Sequence, residues 1–311
     1  MSDTALVFPG QGSQFVGMGE SLCREFAAAR QVFEEASRAV SLDLRKLCFK
    51  GPAETLSLTE YTQPCVLTAG LAAWKVLEAE TGIVPLVAAG HSVGEYTALV
   101  AAEVMSLSDA VRVVQERARL MEKAVPAGEG AMAAVMKLSR EQIEDACREV
   151  SQAGVVEAAN DNAPDQVVIS GHAPAVDRAA ERIKSMGGRV RKLKVSGPFH
   201  TGLMEPAARE LESLLADIDF SEPSFPVLAN WNARPYPHGE GVADNLIRQI
   251  TGPVLWRQTV EQMDRQGTDL YVETGPGRVL AGLISRCLPE AAVLGFMEPD
   301  QLDGIKQRIT T

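Results

Sequence analysis

Short apolar runs alternate with longer stretches in which apolar residues recur every three to four positions, and this alternation continues through most of the chain. It predicts an α/β protein with a mostly parallel sheet. Three of the apolar runs, 5–8, 83–89 and 270–273, end in glycine-containing turns that lead into helical patterns. These turns are Pro9-Gly10-Gln11-Gly12-Ser13-Gln14, Gly90-His91-Ser92-Val93-Gly94 and Thr274-Gly275-Pro276-Gly277. In an open parallel sheet the carboxyl ends of the strands line one edge, where ligands bind, so the three turns are expected to face a shared crevice.

Between about residues 128 and 196 the pattern changes. It reads as strand 131–136, helix 139–150, strand 155–159, strand 166–169, helix 173–186 and strand 189–195, the β-α-β-β-α-β order of a ferredoxin-like unit. The expected architecture is a large α/β-hydrolase-like domain with a mostly parallel sheet, formed by 1–127 and 197–311, carrying a small inserted ferredoxin-like domain at 128–196. Pro126-Ala127-Gly128 and Ser196-Gly197-Pro198 are suitable hinges.

The second turn carries the sharpest chemistry. A strand, then Gly-x-Ser-x-Gly, then a helix is a nucleophile elbow. Such a turn holds the hydroxyl of Ser92 in the open at a helix N-terminus, where free N–H groups and the helix dipole favour the charge of an acyl-transfer transition state. An ordinary serine in a glycine-rich turn has the same local spelling, so the flanks and the remaining residues carry the weight.

Composition narrows the field. The 311 residues are 46% hydrophobic and 23% charged, with a formal net charge of −11. An acidic chain is a poor nucleic-acid binder. Cys23, Cys48, Cys65, Cys147 and Cys287 are scattered and odd in number, which reads as reduced, buried thiols in a cytoplasmic protein. No basic leader and no long apolar segment is evident, so neither secretion by that route nor membrane insertion is expected.

A serine nucleophile needs a base, and there are four histidines. His91 precedes the serine on a sharp turn and should point away from it. His172 and His238 fall in turn sequences and read as solvated loop residues. His200 follows Gly197-Pro198-Phe199 where the chain re-enters the large domain, and its near-neutral pKa suits proton transfer in both directions. The competing reading is a histidine that caps a helix or packs on Phe199.

On the helix expected at 108–124, steps of 100° place Ala110, Val113, Val114 and Met121 on one face with Arg117 among them, and Arg112, Arg119 and Lys123 opposite. A guanidinium in an apolar stripe needs an anionic partner, either a protein carboxylate or a ligand. If the partner is a ligand, a bidentate arginine selects a carboxylate. The first glycine loop lacks the third glycine of a dinucleotide site and the lysine of a phosphate loop, and is either an oxyanion-binding turn or a plain tight turn. Neither His-Glu-x-x-His nor paired cysteines occur, so no metal and no cofactor are expected.

Phe8-Pro9-Gly10-Gln11-Gly12-Ser13-Gln14, Gly90-His91-Ser92-Val93-Gly94-Glu95, Arg117 four residues before Met121, Gly197-Pro198-Phe199-His200 and Glu273-Thr274-Gly275-Pro276-Gly277 occur in this order. Together, from about residue 5 to 288, they resemble the malonyl-CoA:acyl carrier protein transacylases. The resemblance implies Ser92 as nucleophile, His200 as base, the backbone N–H groups of Gln11 and Val93 as oxyanion hole, and Arg117 as partner of the malonyl carboxylate. It also implies that the backbone carbonyl of Gln249 orients the histidine and that Asn160 and Asn162 lie in a loop near the thioester. Val93 and Phe199 resemble the residues at malonyl-preferring sites, which makes methylmalonyl a poor substrate. Ala118 departs from the glycine usual after this arginine.

The implied partners are malonyl-CoA and acyl carrier protein, and the implied state is a monomer. Because carrier and chain are both acidic, docking needs a local basic patch, and Arg189, Arg191, Lys192 and Lys194 form the densest cluster. The main rival is a serine thioesterase or other acyl hydrolase, in which the histidine usually lies close to the C-terminus. More than a hundred residues follow His200 here. A catalytically idle carrier-binding scaffold is a third reading, and a trans-acting acyltransferase of polyketide synthesis is a variant of the first.

Overall fold

The first strand, β1 (Thr4–Phe8), is buried along its whole length, as expected of a strand covered on both faces. The structure, a computed structural model, describes residues 2–126, 128–195, 197–236 and 241–310. Among these the further strands are β2 (Val87–Gly90), β3 (Gly130–Met136), β4 (Val156–Ala163), β5 (Gln166–His172), β6 (Arg189–Lys192), β7 (Val227–Leu228), β8 (Leu270–Thr274) and β9 (Ala292–Phe296). They form a five-stranded sheet in the order β7-β2-β1-β8-β9, in which every pairing is parallel, and a separate four-stranded antiparallel sheet in the order β4-β5-β3-β6.

Alternation along β1 divides the core of the larger sheet. Leu6 and Phe8 face a cluster with Val66, Trp74, Leu99 and Val114, drawn from helices Thr59–Thr81, Val93–Ala101 and Leu107–Ala124. Ala5 and Val7 face Trp256, Val260, Leu280 and Ile284 from helices Trp256–Arg265 and Val279–Cys287. The register pairs Phe8 with Gly90 and Val7 with Glu273, so β1, β2 and β8 end level and their three turns share one edge.

The antiparallel sheet has the ferredoxin-like strand order expected for it. One face, with Ala133, Val135, Val167 and Ile169, packs on Ile143, Val176 and Ile183 of helices Arg140–Glu149 and Ala173–Ser185. The other face, with Met132, Ala134 and Val168, turns toward the larger sheet's turns. Strand β4 is stitched to the larger body by main chain, Asp161 N–H to Val254 C=O at 2.9 Å and Val254 N–H to Ala159 C=O at 2.8 Å. The buried Asp161 carboxylate reinforces that seam by accepting from Arg140, Arg257 and Gln258.

Several boundaries differ from the sequence reading. The strand before the elbow starts at Val87 and not at 83, because Pro85 has no amide hydrogen for a central ladder and Val84 lies in solvent, 79% exposed. Strand β4 continues to Ala163, so Asn160 and Asn162 are strand residues and not loop residues; polar residues there resemble a turn in sequence, and pairing with β5 on one side and the bridge to Val254 on the other keep them extended. Strand β6 ends at Lys192. His172 ends β5 and accepts the Val155 N–H on Nδ1 at 3.0 Å, which makes it a partly buried cap instead of a free loop residue. His238, Ala127 of the first hinge and Ser196 of the second lie outside the described residues. All five cysteines are free, and four are buried. No helix among the described residues is long and apolar enough to cross a membrane.

Candidate active site

Ser92 sits between β2 and helix Val93–Ala101 with φ 52° and ψ −111°, a conformation that non-glycine residues rarely adopt. The flanking glycines make it possible. A Cβ on Gly90 would lie 1.9 Å from the Gly94 carbonyl carbon, and one on Gly94 would lie 2.1 Å from the Phe8 carbonyl oxygen. Asn230, after β7, clamps the turn from outside: Oδ1 accepts the Ser92 N–H at 2.7 Å and Nδ2 donates to the Gly90 carbonyl at 2.6 Å.

The hydroxyl projects onto a histidine. Ser92 Oγ is 2.8 Å from His200 Nε2, and His200 Nδ1 is 2.9 Å from the Gln249 carbonyl oxygen. A carbonyl can only accept, so Nδ1 carries the proton and the Nε2 lone pair faces the hydroxyl. His200 is buried, and burial first, with the Arg117 guanidinium second, pushes its pKa down to about 3. His91 belongs to a different arrangement, with Nε2 2.9 Å from Asn162 Oδ1 and its ring against Trp256.

Arg117 reaches the same serine from helix Leu107–Ala124, where it lies on the apolar face and is 1% exposed. Nη2 donates to Ser92 Oγ at 3.2 Å and to Gln249 Oε1 at 2.9 Å, and Nη1 donates to Gln63 Oε1 at 2.5 Å. Its Nε has no hydrogen-bond partner among the described residues, nor does any carboxylate bond to it there. The structural ion pair that sequence reasoning held open for Arg117 is therefore absent from these contacts.

Gln11, Ser92, Val93, Asn160, Asn162, Phe199 and His200 line one cavity of about 260 Å³ between the two sheets, closed on its apolar side by Met132, Ala134, Val168 and Leu193. The amides of Gln11 and Val93 find no hydrogen-bond partner among the described residues, and both residues line the cavity with Ser92. The third turn contributes differently. Glu273 accepts from the Leu280 and Ala281 N–H groups at 3.0 and 2.7 Å and so caps helix Val279–Cys287. Arg189, Arg191 and Lys194 are exposed, and Lys192 pairs with Asp177 at 2.5 Å. Among the described residues no three His, Cys, Asp or Glu side chains gather as a metal site.

Sequence reasoning missed Gln63, Glu95, Asn230 and the side chain of Gln249. Each is a polar residue that is at most 2% exposed. A glutamine within the apolar helix Thr59–Thr81 was the one available signal, of the same kind that singled out Arg117.

A parallel sheet whose central strand ends beside a strained serine, a histidine and two free amides has the form of a serine-dependent acyl-group enzyme. Residues 5–310 match the profile described as "Acyl transferase domain", and the chain belongs to the acyl transferase family. The malonyl CoA-acyl carrier protein transacylase of Escherichia coli (strain K12) is 43% identical over 303 residues, which are 97% of this chain and 98% of that one. The solved malonyl CoA-acyl carrier protein transacylase of Coxiella burnetii superposes with a TM-score of 0.98 at 39% identity, covering 100% of this chain and 98% of that one. A malonyl-transacylase solved in complex with its type II PKS acyl carrier protein gives a TM-score of 0.96 at 42% identity, over 99% and 100% of the two chains. The resemblance drawn from the five motifs is borne out, and the chain is an acyltransferase.

Proposed function

We propose that the protein transfers a malonyl group from malonyl-CoA to the phosphopantetheine thiol of acyl carrier protein through a malonyl-serine intermediate, supplying extender units for fatty acid synthesis. The observation that carries the reading is Arg117, a buried guanidinium with no carboxylate bonded to it among the described residues, whose Nη2 is 3.2 Å from Ser92 Oγ. A site for neutral acyl groups has no use for that charge, and a carboxylated acyl group supplies its missing partner.

In the first half-reaction His200 Nε2 takes the hydroxyl proton as Ser92 Oγ attacks the thioester carbonyl, and the oxyanion is held by the Gln11 and Val93 amides. The C–S bond breaks, the proton passes to the departing sulfur, and free coenzyme A leaves. In the second half-reaction the carrier thiol gives its proton to His200 and attacks the ester, and Ser92 Oγ recovers a proton as the new thioester forms. The Gln249 carbonyl keeps the imidazole in the tautomer that both halves need, while Asn162 and Asn160, with Phe199 opposite, border the space that the thioester arm would occupy. The reading extends to two domains with the boundaries at 127/128 and 196/197, to a monomer in the cytoplasm, and to carrier docking on the exposed strand β6 through Arg189 and Arg191.

The test is intact-mass detection of a malonyl adduct on Ser92 after mixing with malonyl-CoA, followed by addition of carrier protein. Transfer to the carrier supports the proposal. Rapid loss of the adduct to water indicates a hydrolase, and no adduct refutes acyl-serine chemistry altogether. Because one similar structure is that of an enzyme with a type II PKS carrier, carriers of both kinds belong in the assay.

A further inference from the structure

Behind Arg117 lies a carboxylate that the steps above do not use. Glu95, the third residue of helix Val93–Ala101, has 0% of its surface exposed. Oε2 accepts the Asn230 N–H at 3.0 Å and Gln249 Nε2 at 2.8 Å, and Oε1 accepts the Tyr236 hydroxyl. Gln249 turns its Oε1 to Arg117 at 2.9 Å, so one amide side chain separates the carboxylate from the guanidinium.

The charged and titratable groups nearest this pair are few. Tyr96 comes from Glu95's own helix, with its ring centroid 5.5 Å from the Arg117 guanidinium carbon. Tyr236 comes from the segment after β7, His200 from the segment before helix Glu205–Leu215, and His91 from the end of β2. Burial holds both histidines below their ordinary value and both phenols above theirs, so all four are uncharged near neutral pH. Above the Glu95 pKa, Arg117 and Glu95 are left as one cation and one anion.

A malonyl carboxylate placed on Arg117 would make two anions for one cation in a region that water does not reach, and an uncompensated buried charge is costly. We propose that, when a carboxylated acyl group binds Arg117, a proton from solvent is taken up on Glu95 Oε1, so that the site keeps its charge balance. This inference rests on the functional reading above. The proton has a place prepared for it. Tyr236, the hydrogen-bond partner of Oε1, has a hydroxyl that can accept as well as donate, and both donors to Oε2 keep their bonds. Burial already pushes the carboxyl up to about 7 in the free protein, against the opposing pull of its hydrogen bonds and of Arg117. Glu95 does not touch substrate; it balances charge through Gln249 and Arg117.

Uptake of one proton on binding makes affinity for a carboxylated acyl group fall about tenfold per pH unit above the Glu95 pKa, while a neutral acyl group lacks that dependence. The experiment measures the KM for malonyl-CoA in Ser92 acylation from about pH 6 to about pH 9 for the wild-type protein and for Glu95→Gln. Glutamine keeps the shape, offers its oxygen to the two donors and its NH2 to the Tyr236 oxygen, and cannot titrate. The wild-type KM is expected to rise at about that slope above neutrality and the E95Q value to stay flat. Calorimetry of the Ser92→Ala protein at about pH 8, in two buffers of different ionisation enthalpy, supplies a second measurement. Malonyl-CoA should take up close to one proton more than acetyl-CoA, the coenzyme being common to both. A flat wild-type profile, an equal slope in E95Q, or equal proton counts for the two thioesters would overturn the inference. Absence of any adduct on wild-type Ser92 would instead overturn the functional reading on which it rests.

Discussion

Replacing Asn230 by alanine removes two buried hydrogen bonds that close the elbow, at 2.7 Å to the Ser92 N–H and 2.6 Å to the Gly90 carbonyl. Asn230 is 0% exposed, so the truncation strands a donor and an acceptor. Each stranded group costs about 1–3 kcal/mol, which sums to roughly 2–6 kcal/mol, toward the lower end if a water fills the space. The effect on rate has a separate origin. The Ser92 conformation, φ 52° and ψ −111°, lies in a region that costs about 1–3 kcal/mol and persists only where its surroundings enforce it. Without the clamp the turn relaxes and Oγ leaves its 2.8 Å contact with His200. A shift of about 1 Å lowers the rate about a hundredfold. Urea denaturation gives the first quantity, and the rate of malonyl adduct formation at Ser92 gives the second. Asn230→Asp separates the two bonds, since it keeps the acceptor for the Ser92 N–H but loses the donor to Gly90 and sets a second carboxylate near Glu95. If N230A loses less than about 0.5 kcal/mol and acylates within about twofold of wild type, the glycine turn alone holds the serine and the reasoning is wrong.

Four further outcomes are expected. Arg117→Ala should lower the preference for malonyl-CoA over acetyl-CoA in kcat/KM by about 30-fold or more, from an unpaired-charge penalty of at least ~2–3 kcal/mol, and an unchanged ratio would contradict the assigned role. Because the His200 pKa is lowered from 6.5 to about 3, the base stays free well below neutrality, so the acid limb of kcat/KM should fall below about pH 5 and not near 6.5. The same shift has a sign for stability. The unfolded chain binds that proton near 6.5 and the folded chain does not, so this residue's contribution to stability is lost as pH falls from 6.5 toward 3, which denaturation series at descending pH will register. Gly94→Ala would place its Cβ 2.1 Å from a main-chain oxygen that cannot turn aside, and a loss of about 3 kcal/mol or more, or failure to fold, is expected from thermal melts.

The chemistry of the site follows from burial more than from proximity alone. Desolvation leaves His200 a neutral base, lowers the Arg117 pKa and raises that of Glu95. Each group in the open would behave as an ordinary side chain.

What the chain alone made legible was local. Short apolar runs and period-3.6 patterns marked the strands and helices, the elbow declared itself because only glycines tolerate backbone contacts at Gly90 and Gly94, and Arg117 stood out as a charge on an apolar stripe. The ferredoxin-like order of the small sheet was readable for the same reason. Main-chain conformation and amphipathic faces are written within a few residues of where they act. The boundaries that failed, at 83–86 and along Asn160-Asp161-Asn162, failed where a distant partner decides whether a polar or proline-containing segment pairs. Asn230, Glu95, Gln63 and the side chain of Gln249 were passed over for a related reason. Their partners lie 138 residues away for Asn230 and Ser92, 154 for Gln249 and Glu95, and 54 for Gln63 and Arg117. A polar side chain carries no mark of whether it will be solvated or buried. Only the packing of the sheets and helices removes the water, and with it the freedom of these groups to find any partner but one another.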